Sequence, residues 1–553
     1  MGKHFTHLIF YNNKHIMFMQ VSYMNSTFRL VPLTAIVATL LSLTACQTIP
    51  KAKTEPVVAQ PHIAINQPYE TYDSQTVSGT SQPSIAAQRW QDFYSDAKLK
   101  QLIQLGLDNN KDISATILAI QKARAQYQIQ DIADVPTINS SGSYSYGAKN
   151  SIDANPSSTY NVGLAMSSYE FDFWGRIASL KDAALQNYLA TTAAKDAAQI
   201  SLISNIAQSY VAYSYNLAQL QLAKQTLATR QDSLRINQLR FKAGLDSQLA
   251  SVQAQAAVEA AKVSIAQAQT NLLTNQNALR YLVGAPVDNS LLPAAGISSI
   301  TNNRIFGTGL PSDLLLYRPD LRQAEYNLKA AGANINAARA AFYPTISLSG
   351  NVGAASSSLG DLFKTGAFSW GFGPSVSLPI FDAGLRKANY QVSEIEQQQA
   401  LNTYEKAIQT AFKEVNDVFA NRATLNQQLA AYNQSLAANQ KYYQIVQARF
   451  KAGLDNYLGV LDAQRSIYSS QQSILNTKQS QLLSQIQLYQ VLGGGVSRDV
   501  PLETPIEKHT NFSTKLSQVA NNAQQKITDV AHQPAQVTNK TTSTTTTTTT
   551  VQP

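Results

Sequence analysis

The sequence predicts an α+β membrane protein built from two copies of one unit: helix, β-hairpin, very long helix, glycine turn, returning helix. Three observations predict it. First, Arg240-Phe241-Lys242-Ala243-Gly244-Leu245-Asp246 recurs unchanged at Arg449-Phe450-Lys451-Ala452-Gly453-Leu454-Asp455, an offset of 209 in a chain of 553 residues; such an identity marks an internal repeat. Second, each copy follows a long run of seven-residue apolar periodicity and carries a Gly where a helix can stop. Third, each half holds two segments of strict two-residue alternation, the pattern of a hairpin.

The elements follow in chain order. Leu30 to Ala45 is an apolar run preceded by Arg29, the layout of a secretory signal peptide, and it is too short for a comfortable membrane span. Residues 1–45 are therefore expected to be a leader, with translation expected to start at Met24 because residues 1–23 look unlike one. Leu43-Thr44-Ala45-Cys46 resembles the bacterial lipobox, in which the cysteine becomes the lipidated first residue. Gln47, in place of Asp, favours sorting to the outer membrane. Residues 46–89 read as a Pro-, Thr- and Gln-rich strap.

The first repeat spans 90–290. Helical periodicity begins at Trp90, and Asp112 to Ala133 reads as a further helix ending before Pro136. Ile138, Gly142, Tyr144 and Tyr146 then alternate with Asn139, Ser141, Ser143 and Ser145. Tyr160, Val162, Leu164 and Met166 alternate with Asn161, Gly163, Ala165 and Ser167. Each segment is long enough to cross a bilayer as a tilted strand. From Arg176 to Arg240 the chain reads as one helix about 100 Å long at ~1.5 Å per residue. Ile206, Tyr213, Leu220, Leu227, Leu234 and Phe241 lie seven apart along it, so it needs a partner helix; Ser247 to Leu282 is the expected neighbour.

A connection, 291–310, leads to the second repeat, 311–497. Ile346, Leu348 and Val352 share a face against Ser347, Ser349 and Asn351. Phe368, Trp370, Phe372, Val376, Leu378 and Ile380 alternate with Ser369, Gly371, Gly373, Ser375 and Ser377. A 3–4 spaced seam then runs from Ile408 to Phe450, with Arg422 and Asn439 in register, and Tyr457 to Leu492 returns. Asp112 matches Asp320, Pro136 matches Pro344 and Phe171-Asp172 matches Phe381-Asp382, so the halves align throughout. Residues 498–553, with a threonine tract at Thr544 to Thr550, lack periodicity and read as a disordered tail.

Composition narrows the function. Charged residues are only 14%, well below the usual quarter. Without Lys3, Lys14 and Arg29 of the leader, 40 bases stand against 34 acids, a net of +6; this makes no basic patch and no nucleic-acid site. Cys46 is the only cysteine, and no His or Cys lies between Trp90 and Gly495. Ser-His and Cys-His catalysis and the usual zinc sets are thereby excluded from the ordered body, and no phosphate-binding loop or nucleophile elbow stands in a strand-to-helix setting. The chain is not expected to be an enzyme, nor to need a cofactor beyond the lipid on Cys46. Four strands cannot close a bacterial outer-membrane barrel, whose smallest single-chain size is about eight, and an open edge is not tolerated in lipid. Copies must therefore share a barrel: eight strands from two chains, or twelve from three. A lipid-anchored coiled-coil adaptor would share the heptads and turns but would not need two β-hairpins.

These features together resemble the TolC family of outer-membrane efflux channels, in its OprM- and NodT-like lipoprotein branch. The carriers are Arg318-Pro319-Asp320-Leu321-Arg322-Gln323-Ala324-Glu325, the run Ala338 to Pro344, Leu378-Pro379-Ile380-Phe381-Asp382-Ala383-Gly384, and the first-half counterpart Tyr169 to Arg176. The resemblance covers roughly Trp90 to Gly494. It implies a homotrimer whose twelve-stranded barrel sits in outer-membrane lipid and continues as a long α-helical coiled-coil barrel in the periplasm. It also implies a periplasmic adaptor and an inner-membrane transporter of the RND class, for passage of small molecules; an outlet for type I protein secretion is the alternative. By the same resemblance, the adaptor docks on Ala243, Gly244, Leu245, Ala452, Gly453 and Leu454. Leu458 falls at an apolar gate ring, Asp462 at an aspartate ring and Arg465 at a basic gate position, while Phe450 stands where relatives often carry Tyr. Three aspartates near one axis would raise one another's pKa and attract cations.

Overall fold

A computed structural model describes residues 76–77, 84–147, 156–301, 306–308 and 313–495, all within the compact unit Thr54–Pro553. The expected leader with Met24, the lipidated Cys46, most of the strap and the tail lie outside the described residues.

A two-residue parallel pair, β1 (Thr76–Val77) with β4 (Phe306–Gly307), joins the strap to the connection between the repeats. No periodicity announced it. Helices α1 (Trp90–Phe93), α2 (Ala97–Asn109) and α3 (Lys111–Asp131) follow. Asp96 caps α2 by accepting from Lys98 and Leu99 amides, and Asn110 caps α3 by accepting from Asp112 and Ile113 amides, which satisfies N–H groups that have no intrahelical partner.

The alternating segments form one antiparallel sheet, in the order β2 (Ile138–Gly147), β3 (Ser157–Phe171), β5 (Thr345–Ser356), β6 (Phe368–Ser377). Its register carries the alternation across all four strands. Ile138 opposes Met166 and Tyr144 opposes Tyr160; Leu164 opposes Val352; Val352 opposes Trp370 and Ile346 opposes Val376. One irregularity corrects what parity alone would give. Between Met166 and Tyr169 the ladder shifts, with Ser168 at φ 40°. The extra residue of this bulge returns Tyr169 and Phe171 to the face of Tyr160 to Met166.

Helix α4 (Arg176–Lys242) runs 67 residues and α5 (Gln248–Val283) returns along it. After the short α6 (Asp313–Tyr317) and α7 (Pro319–Ala340), the second half repeats the plan after β6 with α8 (Leu385–Ala423), α9 (Leu425–Lys451) and α10 (Tyr457–Val491). Here the expectation of one very long second helix fails. The helix breaks at Thr424, with φ −108° and ψ −7°. Thr424 instead opens α9: its carbonyl accepts the Gln428 amide at 2.8 Å, the first i,i+4 bond of that helix, and its hydroxyl accepts from the Gln428 side chain.

The main core lies where both halves meet. Phe93 stacks on Tyr489 with centroids 4.0 Å apart, and Ile103, Ile206, Tyr210, Val415 and Ile486 are fully buried with them. Two of its phenols are bonded: Tyr489 donates to Gln88 O at 2.6 Å and Tyr210 to Asp96 Oδ2 at 2.9 Å, with burial raising both phenol pKa values. A second cluster, including Ala254, Phe450, Tyr457 and Leu461, sits beside the two glycine turns. Between the clusters the seven-residue seam loosens, from buried Ile206 and Leu220 to Phe241 at 44% exposed.

Candidate functional site

The sheet has two chemically distinct faces. Phe368, Trp370 and Phe372 are 65%, 68% and 70% exposed on one. The other carries small polar groups, with Ser347 and Ser375 hydroxyls 2.8 Å apart and Ser349 donating to Gly373 O at 3.2 Å. An aromatic face open to its surroundings suits lipid, and the small polar face suits water. Among the described residues of one chain β2 and β6 are unpaired edges, and lipid does not tolerate such edges, so the sheet is completed by further copies. No helix among the described residues is long and apolar enough to cross a membrane.

At the foot of each hairpin an aspartate starts a long helix. Asp172 Oδ2 accepts the Ala178 amide at 2.8 Å. Asp382 accepts the Gly384 and Arg386 amides and the Arg386 side chain, and this Arg386 bond holds its carboxyl below the ordinary range. The matched Phe-Asp pairs are thus helix starts that turn the chain from strand to helix.

The two identical turns fold identically. In the first, the Leu245 amide donates to Arg240 O at 2.9 Å and the Gly244 amide to Phe241 O at 3.0 Å. In the second, Leu454 donates to Arg449 O and Gly453 to Phe450 O, both at 3.0 Å. This double closure is the Schellman helix end, and it demands a left-handed residue. Gly244 at φ 70° and Gly453 at φ 75° supply it. The apolar contact that often accompanies such an end is not made: Leu245 and Leu454 are 69% and 68% exposed, and Ala243 and Ala452 are exposed beside them. Within the second turn Arg449 clasps Asp455 at 2.7 and 3.0 Å; in the first, Arg240 reaches Asp246 at 3.4 Å.

Beyond the second turn, Leu458, Asp462 and Arg465 are all exposed and their spacing puts them on one side of α10. Phe450 is placed differently, being buried against Tyr457 with ring centroids 5.9 Å apart. Sequence reasoning missed the residue behind this region. Arg230, 8% exposed, donates to Ala257 O at 2.9 Å and ties α4 to α5. Burial first, then the charge of Arg465, pushes its pKa below the ordinary value. A basic residue at a seam position of the long helix was the available signal.

The chain matches the sequence profile described as outer membrane efflux protein over residues 102–285 and 310–494. It is 37% identical over 388 residues to the cation efflux system protein CusC of Escherichia coli O6:H1, covering 70% of this chain and 82% of that one. It is 37% identical over 343 residues to the probable outer membrane lipoprotein SilC of Salmonella typhimurium, covering 61% of this chain and 73% of that one. Among solved structures, the open state of the Neisseria gonorrhoeae MtrE outer membrane channel superposes with a TM-score of 0.72 at 34% identity, over 81% of this chain and 99% of that one. These likenesses bear out the expected fold, the outer-membrane location and the efflux-channel role, in a family of transport components and not of enzymes. With two thirds of its length matched and both repeats included, this chain belongs to the outer membrane efflux protein family.

Proposed function

We propose that the chain is the exit duct of a tripartite pump, a homotrimer with a twelve-stranded barrel, anchored by lipid on Cys46. In this reading it takes small molecules, including drugs and toxic amphiphiles, from an inner-membrane RND-type transporter through a periplasmic adaptor. The observation that carries it is the pair of identical, glycine-closed turns that each leave a leucine about two-thirds exposed at the end of a long helical hairpin. Exposed apolar tips on rigid helices suit docking by a partner. Ala243, Gly244 and Leu245 form one docking tip, and Ala452, Gly453 and Leu454 the other.

The two tips diverge directly after the shared motif, and only the second leads into Leu458, Asp462 and Arg465. These three residues are the gate, with buried Phe450 as its backing. The experiment is single-channel recording in planar bilayers. Asp462→Ala raises conductance by loosening the closed state, while Leu245→Glu with Leu454→Glu leaves conductance unchanged and abolishes pulldown of the adaptor. Wild-type conductance in Asp462→Ala would sink the gate assignment.

A further inference from the structure

We propose that the chain also binds a small 2-hydroxy carboxylate in a cavity where its two repeats meet, around the buried side chains of Arg230 and Gln464. The cavity, of about 260 Å³, lies between α4 of the first repeat and α9 and α10 of the second. Pockets for drug-sized ligands run from about 300 to 1,000 Å³, so this one suits a smaller molecule.

Two buried groups on its wall define the ligand. Arg230, 8% exposed, donates from Nη1 to Ala257 O at 2.9 Å, and its Nε–H is buried with no partner among the described residues. The Nε–Nη2 edge of the guanidinium is thus unused within the described chain, and such an edge meets a carboxylate with two parallel bonds. Among the described residues no Asp or Glu lines the cavity. Gln464, 7% exposed, donates from Nε2 to Ser233 Oγ at 3.0 Å, and that hydroxyl gives its own proton to Thr229 O at 3.1 Å. This relay fixes the amide and leaves Gln464 Oε1 as a buried acceptor with no partner among the described residues. The arginine therefore asks for an anion and the glutamine for a donor. A neutral molecule could bond to both atoms, but it would leave a buried charge uncompensated.

Arg318 shows the alternative arrangement. It is equally buried, but it donates to Asp320 and Glu414, so its charge is met within the chain. Burial alone would lower its pKa, yet the two acids outweigh burial and hold it above the ordinary value. The pKa of Arg230 moves the other way, through burial first and then the like charge of Arg465. A counter-charge is what its surroundings lack.

The remaining wall suits the body of such a ligand. Leu222, Ile467, Tyr443 and Tyr468 line it and give it an apolar and aromatic flank. Both phenols accept a side-chain amide at 2.9 Å, which keeps their own protons available to an anion. The wall comes from three packed helices, so a ligand does not have to order a loop in order to bind. The site uses neither the exposed turn leucines nor the strands, so its failure would leave the channel reading untouched.

The test is calorimetric titration of the full-length protein in nanodiscs of zwitterionic lipid, with mandelate as probe. One saturable mandelate site per chain is expected. Phenylacetate, which lacks the hydroxyl, binds about fivefold more weakly, the loss of one neutral hydrogen bond. Mandelamide, which lacks the charge, binds about tenfold more weakly or worse. Arg230→Met abolishes mandelate binding, with the helical circular dichroism signal as the check on its fold. Gln440→Glu, at an exposed position on the cavity wall, brings a carboxylate of the chain itself to the cavity. It weakens mandelate by about tenfold, and Gln440→Met retains it. Absence of a saturable mandelate site, equal binding of mandelate and either counterpart, or unchanged affinity in Gln440→Glu or in folded Arg230→Met would overturn the proposal.

Discussion

The guanidinium carbon of Arg240 lies 4.7 Å from the centroid of the Phe450 ring. The two residues come from opposite copies of the repeat, 210 positions apart in sequence, yet they join the two glycine turns of one chain. The contact also breaks the symmetry of the repeat. Arg240 divides itself between its own Asp246 and the ring of Phe450, whereas Arg449 gives two bonds to Asp455. Phe450 is correspondingly buried, while its counterpart Phe241 is 44% exposed. Identical heptapeptides thus serve unequal roles because their neighbours differ.

The energy of this contact is measurable. A guanidinium over an aromatic face contributes about 0.5–2 kcal/mol, rising as water is excluded. A double-mutant cycle of Arg240→Gln and Phe450→Leu, read from hydrogen exchange of the Leu245 and Leu454 amides, should return a coupling of about 1 kcal/mol. Additive effects, within about 0.3 kcal/mol, would mean that proximity alone places the two groups together.

The second turn should respond to acid through Asp455. The bond from Arg449 lowers the Asp455 pKa, and the same bond raises that of Arg449. A carboxyl depressed on folding stabilises above its unfolded value of about 3.9 and loses that contribution as pH falls through the folded value. Exchange protection of the Leu454 amide should therefore be flat from neutral pH down to about 4 and then decline. In Asp455→Asn the decline should vanish. A variant that kept the full acid-induced decline would remove Asp455 as its cause.

Much of this arrangement was legible in the residues themselves. The alternation of Phe368, Trp370 and Phe372 with Ser369, Gly371 and Gly373 told which face of the sheet is aromatic, because a strand has a period of two. The duplicated turn told where the long helices end, because only glycine fits that closure without strain. What escaped was whatever depends on partners far away in sequence. The bulge at Ser168 changes parity in mid-strand, and nothing in Ser167-Ser168 distinguishes it from ordinary alternation. The break at Thr424 is invisible to a seam count, since Val418, Leu425 and Leu429 keep their spacing through it. Arg240 with Phe450 required knowing how the two copies pack on each other. The proposed gate residues Leu458, Asp462 and Arg465 came from a family resemblance, and their exposure in one chain is compatible with a site completed by other copies.

Arg318 makes a tertiary clamp whose removal should be costly but not fatal. It donates to Asp320, to Glu414 at 2.7 Å and to Val491 O at 3.0 Å, joining the start of α7 to α8 and to the end of α10. The arginine side chain is only 9% exposed, but its carboxylate partners are 43% and 42% exposed. Those acids regain water when the clamp is lost, so the cost falls below the ~3–5 kcal/mol of a fully buried pair to about 1–3 kcal/mol. Arg318→Met, which keeps the aliphatic stem, should lower the urea midpoint of the helical circular dichroism signal accordingly. A wild-type midpoint would show the clamp to be energetically idle.

The strand pair Gly163 and Gly353 offers the sharpest test of the barrel. The two residues face each other across β3 and β5. A Cβ on Gly353 would lie 2.5 Å from Val162 O and 2.9 Å from Gly163 Cα. Both are backbone atoms, which cannot swing aside as a flexible side chain can. Any side chain here must therefore push β3 away from β5 and open ladder bonds in the membrane, where each unsatisfied group costs several kcal/mol. Gly353→Val should fail to give an oligomer that resists dodecyl sulfate until heated. Ser347→Ala, on the same strand and the same face, loses only its hydroxyl contact with Ser375 and should assemble normally. Heat-modifiable oligomers of Gly353→Val in wild-type yield would mean that β3 and β5 do not pair in this register in the assembled barrel.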